Sequence, residues 1–410
     1  MLTSQPSPIT TSYDNAQFIA AAQEYFNYVH NTRFIHPDKS SLQSFIKKGV
    51  SFDVCITSPV SGEMLSLLAC SIEMQNIFIL RFLLEQGAQP LKPVSATQTK
   101  IPLQMICEKI KEGFYSTYRN NRFSREMYQS VLAHVKKFQP EFYHDLEKEL
   151  SSAFATLYRR ILNALQEAQR QGKKLLITMG EMHTSTLENI LHAMIIEISV
   201  RLDIKNLMIE QSDKYLKLVE ETYQEDEIND PYLIDHVWSP AIGNHLHGYQ
   251  LGMTVVPIDL QRNPKDPDWN SSPEGTAQRE SAMIEQILSH DMAHGFCTVG
   301  LAHMSKLIEH KRVHDTFHIF AINGSFAANT DDAFAFAYSS NIYQVSDLFS
   351  PDFINKADTM LAPVDGLNIV TKVANTLVFE DCLEFSSSEV SEENELDTKK
   401  QTPTKKCIIC

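Results

Sequence analysis

The chain has 410 residues, 43% hydrophobic and 21% charged, with a formal net charge of −15. That length leaves room for two domains with sizeable cores, and the acidic balance argues against nucleic-acid binding, which needs a basic face. The seven cysteines are scattered apart from a pair at the C-terminus, so neither a disulfide framework nor a zinc site is expected and a reducing compartment fits.

Met1-Leu2-Thr3-Ser4-Gln5 has neither the basic start nor the apolar core of a standard signal peptide. No run approaches the ~20 apolar residues that a membrane-spanning helix requires. Residues 1–13 are rich in Ser, Thr and Pro and read as a flexible N-terminus. From 14 to 140 the pattern predicts helices throughout, in pairs: Phe18–His30 with Ser40–Lys48, Met64–Glu73 with Ile77–Gln86, and Ile101–Lys111 with Ser124–Lys137. Leu42–Gly49 echoes Leu80–Gly87, with the two glycines 38 residues apart, and Cys70 and Cys107 recur 37 apart. An apolar helix that recurs at such a period and ends in Gly signals stacked helical repeats, the Gly supplying a left-handed turn. The competing reading is a helical bundle without repeats.

A long helix over Phe142–Gln171 is expected to link this module to the next, within a linking segment 141–172. From 173 to 378 the rhythm changes to short apolar runs separated by helices: Lys174–Thr178, Asn206–Ile209, Thr254–Ile258, Phe296–Val299 and Thr316–Ala321. Thr184–Leu202 reads as an amphipathic helix with Leu187, Ile190, Leu191, Met194, Ile195 and Ile198 on its buried side. Strand–helix alternation of this kind predicts an α/β fold, a mainly parallel sheet with helices on both faces, preceded by an all-α helical-repeat domain.

Ligands of open parallel sheets bind beyond the carboxyl ends of the strands. The first run ends in Gly180-Glu181-Met182-His183, the second in Glu210-Gln211, the third in Asp259 and the fourth in Gly300-Leu301-Ala302-His303. Two imidazoles and two or three carboxylates meeting at one edge could hold a divalent metal ion, or act on a water as a base–acid set. The structural alternatives are a helix-start role for His183 and His303, a helix-terminus role for Glu210, and a surface ion pair for Arg279. The cluster His236, Trp238, His245 and His247 reads as a lid or helix face.

Gly-Glu-x-His after a first strand, an acid closing the next strand, Arg279-Glu280-Ser281-Ala282-Met283 on a helix and Gly300-Leu301-Ala302-His303 after a later strand resemble, in that order, the TraB/TIKI/ChaN/erythromycin-esterase-like superfamily. The resemblance implies Glu181, His183, Glu210, Arg279 and His303 as the site, with Asp259 beside them. It implies Glu181, His183, Glu210 and His303 as ligands if a metal ion serves. Members include metal-dependent proteases, metal-free esterases and haem-related binders, so the fold alone leaves the reaction open. Here Met304-Ser305-Lys306 replaces the Gly usual after the second motif. Arg81–Pro90 resembles the second helix and turn of an ankyrin repeat, and Pro102-Leu103-Gln104 the start of another.

Residues 379–410 are acidic and Ser-rich and are expected to be disordered. They end in Lys405-Lys406-Cys407-Ile408-Ile409-Cys410, a C-a-a-X prenylation box behind a basic stretch that would add an electrostatic membrane signal. A Glu-rich segment so near the C-terminus resembles the export signal of type IV-secreted effectors. Together these imply a bacterial effector lipidated at Cys407 by a host prenyltransferase and held on a host membrane. Two functions compete: a hydrolase whose water is activated by a His/Glu cluster, with or without a divalent metal, and an inactive scaffold that binds a host protein through its repeats.

Overall fold

The computed structural model describes residues 12–32, 51–112, 119–181, 185–214, 216–217, 240–261, 268–269, 272–324 and 342–377. Its centre is a six-stranded, wholly parallel sheet in the order β5-β4-β6-β3-β7-β8. The strands are β3 (Lys174–Glu181), β4 (Asn206–Ile209), β5 (Thr254–Pro257), β6 (His294–Gly300), β7 (Phe317–Asn323) and β8 (Ile342–Gln344). The five expected runs are all strands. β8 escapes detection by pattern because three residues carry no measurable alternation.

Side chains alternate across a strand, and here both faces are apolar. Leu175, Ile177 and Met179 of β3 face one core together with Leu207, Ile209, Phe296 and Ile322. Leu176 faces the other, with Met208, Cys297 and Val299. The first face is covered by α6 (Glu141–Arg170), α7 (Thr186–Arg201) and α8 (Pro240–Gln250), with α12 (Pro351–Met360) and α13 (Pro363–Thr376) packed on α7. The second is covered by α9 (Pro273–Ser289), α10 (Leu301–Glu309) and α11 (Lys311–Thr316).

α7 departs from the amphipathic expectation. Thr186–Ser199 are buried without a break, including Glu188, His192 and Glu197. Its outer side, which the pattern assigns to solvent, is covered by α8 and α13. Its start is a capping box: Ser185 Oγ accepts from the Leu187 and Glu188 amides, and Glu188 reaches back to the Ser185 amide.

The N-terminal part is not helical throughout. A two-stranded antiparallel hairpin, β1 (Cys55–Thr57) and β2 (Met64–Ser66), follows α1 (Ser12–Thr32). The helix expected from Met64 begins only at α2 (Leu67–Glu73), with Ser66 as its cap. Ile56 and Leu65, paired in register, are both buried, and that cross-strand contact overrides the helical pattern. The Gln23 side chain of α1 closes the hairpin edge, donating to Thr57 O and accepting from Thr57 N, both at 2.8 Å. α3 (Ile77–Glu85), α4 (Pro102–Glu112) and α5 (Arg119–Phe138) follow.

Gly87 has φ +87°, and Ala88 N donates to Leu83 O at 3.0 Å, so the left-handed turn expected at the end of α3 is present. The matching Ser40–Lys48 and Gly49 lie outside the described residues. One hydrophobic cluster runs from Phe18 and Phe26 through Ile79 and Val131, along Phe154 and Ile161 of α6, to Leu175 and Ile198. No helix among the described residues is long and apolar enough to cross a membrane.

Candidate active site at the carboxyl edge of the sheet

Glu210 follows directly on β4, and both its oxygens are engaged. Oε1 accepts from Arg279 Nη2 at 2.6 Å, and Oε2 accepts from Gly300 N at 2.5 Å. Gly300 ends β6 and is the cap of α10, so one carboxylate ties two strand ends together at the positive terminus of a helix.

Arg279 comes from α9, whose first turn is set by Ser272, with Oγ accepting from Gly275 N at 3.0 Å. Gly275 is obligatory there, since a Cβ would fall 1.9 Å from Trp269 O. The guanidinium forks onto Asp259 just beyond β5. Nε lies 2.9 Å from Oδ1, and Nη2 lies 2.7 Å from Oδ2. Burial pulls the Arg279 pKa down, but the hydrogen bonds and charges of Asp259, then Glu210, outweigh it and leave it above its ordinary value. Asp259 is thereby as firmly part of the site as Glu210.

His303 lies in the first turn of α10. Its Nδ1 is 3.1 Å from Glu280 Oε1, and its Nε2 is 3.6 Å from Glu210 Oε1. A carboxylate only accepts, so Nδ1 donates toward Glu280, while Nε2 faces Glu210 at the longer distance. Glu280 is the residue that reading by strand ends misses, because it sits on a helix. Its signal was its place beside Arg279: neighbours on a helix point about 100° apart, so one aims at the acids and the other at the imidazole.

Glu181 ends β3 with Gly300 as its register partner, and it is buried. Its charge and that of Glu210 reinforce burial in pushing up the pKa of the Cys297 thiol, an inert core group on β6. Gly180 remains inside the strand without positive φ. Its missing side chain serves packing, because a Cβ would lie 2.7 Å from Leu301 Cδ1 and 2.8 Å from Met304 Sδ of α10. His183 lies outside the described residues, as do His236, Trp238 and Cys407. His245 and His247 belong to the α7–α8 contact, where His247 Nε2 lies 3.2 Å from Glu197 Oε1.

The edge thus gathers Glu181, Glu210, Asp259 and Glu280 against Arg279 and His303. Among the described residues no group of three or more His, Cys, Asp or Glu side chains is arranged to hold a metal ion. Asp259 turns both its oxygens to the Arg279 guanidinium, and Glu210 turns one to it and the other to the Gly300 amide. Comparison with protein-family models, with curated proteins and with solved structures returned no match.

Proposed function

We propose that this chain is a hydrolase of ester or amide bonds, in the manner of the TraB/erythromycin-esterase-like superfamily that its motifs resemble. The observation that carries the reading is the meeting of Glu210, Asp259, Arg279, Glu280 and His303, distant in sequence, at the carboxyl edge of a parallel sheet. Water at that edge gives its proton to the acid–imidazole set, with Nε2 of His303 as one acceptor and the motif residues Glu181 and His183 as the other part. Glu280 orients the imidazole. Arg279, with three hydrogen bonds to Asp259 and one to Glu210, acts as a positioning residue.

The N-terminal hairpin and the two helices closed by Gly87 support ankyrin-like stacking as a docking surface for a host protein. The C-a-a-X box supports lipidation at Cys407 and residence on a host membrane, which is tested by comparing membrane fractions of host cells expressing the wild type and Cys407→Ser. A second reading, a catalytically inactive scaffold, is favoured by the engagement of both Glu210 oxygens with Arg279 and Gly300.

Turnover of a panel of p-nitrophenyl esters and peptide amides by the wild type, His303→Ala and Glu181→Gln separates the two readings. Folded variants with rates at least 100-fold below wild type support the hydrolase. Wild-type turnover that equals both variants across the panel leaves the scaffold.

A further inference from the structure

Residues 358–362 join the two parts of the molecule by alternation. Asp358 Oδ1 accepts from the Leu187 amide at 3.0 Å and from the Ser185 hydroxyl, and Leu361 O accepts from Thr186 Oγ1 at 3.1 Å. Those two residues hold the start of α7, just beyond the end of β3. The three between and after them face the N-terminal helices. Thr359 Oγ1 accepts from Gln104 Nε2 of α4 at 3.3 Å, Met360 O from the Tyr128 hydroxyl of α5 at 3.5 Å, and the Ala362 amide donates to that hydroxyl at 3.1 Å.

Three residues further on, in the first turn of α13, stands Asp365. It is 6% exposed, and its Oδ2 is buried with no hydrogen-bond partner. The Tyr143 hydroxyl of α6 is in the same condition. The groups that face the carboxyl are Tyr128 and Lys136 of α5 and Tyr143 of α6, with Cys107 of α4 behind them. From α7, Thr186 and Ile190 lie against the neighbouring Gly366. The Tyr128 hydroxyl has one proton, directed at Met360 O at 3.5 Å, and the Asp365 carboxyl is close enough to interact with the same hydroxyl.

We propose that Asp365 is a proton-operated lock between the N-terminal helices and the start of α7. When the carboxyl is protonated, the buried oxygen carries no uncompensated charge, and Tyr128 donates to Met360 O, closing the 358–362 strap. When it is ionised, the carboxylate competes for the Tyr128 proton and the strap loosens. Burial, against the pull of Lys136 and of the Tyr128 hydrogen bond, pushes the carboxyl up to about 6 from an ordinary 3.8. A folded-state pKa above the unfolded one gives stability that is complete below about 4 and lost as pH rises through about 6.

The test is urea unfolding of the full chain between pH 4 and 7.5, with hydrogen exchange of the segment 185–190 corrected for intrinsic rate. Relative to Asp365→Asn, the wild-type folding constant falls by up to tenfold per pH unit across the window, the slope of one proton. Exchange at 185–190 quickens above pH 6 in the wild type alone. Superimposable pH curves for the two proteins overturn the lock. Lys136→Met provides the second arm, because Lys136 is exposed and its loss moves the midpoint to higher pH. An unmoved midpoint in that variant also overturns the proposal.

Discussion

His303 Nδ1 lies 3.1 Å from Glu280 Oε1, and this contact between α10 and α9 leaves Nε2 as the only imidazole nitrogen turned toward the strand ends. It makes the pair a unit for handling protons. On the proposed hydrolase reading, Glu280→Ala frees the ring to turn and lowers kcat by about 10²-fold, while Glu280→Gln, whose amide oxygen still accepts from Nδ1, keeps most of the activity; His303→Ala costs about 10²–10⁴-fold. Steady-state kinetics of the three variants check this, and equal rates for Glu280→Ala and the wild type would remove Glu280 from the site.

The Arg279 fork is the shared counter-charge of two buried acids. Arg279→Met takes that counter-charge from Glu210 and Asp259, so the loss is that of breaking a buried ion network, about 3–5 kcal/mol. The combined variant Arg279→Met with Glu210→Gln and Asp259→Asn regains much of that stability, because no lone charge stays buried. Denaturant midpoints of the two proteins measure the difference. Equal midpoints would mean that water reaches the acids in solution.

Gly180→Ala forces a methyl group against Leu301 and Met304. Overpacking of this kind costs about 1–3 kcal/mol and pushes α10, with His303, away from β3. Leu301→Ala in the same chain opens the space again and restores part of the stability. Thermal unfolding of the single and double variants reads the coupling, and strictly additive effects would disprove the contact.

Glu197 answers acid with the opposite sign to Asp365. Burial pushes its pKa up, but His247, then Arg201, outweigh this and hold it below the ordinary 4.5. A depressed folded-state value gives stability that is present above pH 4.5 and lost as pH falls below it. Glu197→Gln therefore flattens the acid limb of the stability curve below pH 4.5 and leaves the region between pH 5 and 6 alone. Urea titrations at pH 3, 4 and 5.5 distinguish this from a general loss of stability.

The Gln23 side chain makes two hydrogen bonds to Thr57 that stand in for a third strand on the hairpin edge. Gln23→Ala removes both, at about 0.5–1.5 kcal/mol each. The loss is confined to the N-terminal part, so faster amide exchange at Cys55–Thr57 accompanies it while β3 is unaffected. Uniform acceleration across both regions would contradict that assignment.

Short apolar runs bounded by turns made the five longer strands legible, and their parallel arrangement followed from the helices between them. The polar residues that close those runs, Glu181, Glu210 and Asp259, were legible for the same reason: a strand that is apolar on both faces has only its end free for chemistry. Motif order added Arg279 and His303. The partners were not legible. Glu280 and the saturation of Glu210 by Gly300 N depend on how α9 and α10 sit over β4 and β6, a relation between segments about 70 to 90 positions apart.

Local pattern failed where a long-range contact outbid it. β2 reads as the start of a helix until Ile56 is brought opposite Leu65, and α7 reads as half exposed until α8 and α13 cover it. The strap of residues 358–362 shows no periodicity of its own. Periodicity and strand-end chemistry are written into consecutive residues, so the chain alone determined the sheet, its two apolar faces and the acids at its edge. Which oxygen meets which nitrogen is a property of the packed layers, and only the tertiary structure decided that.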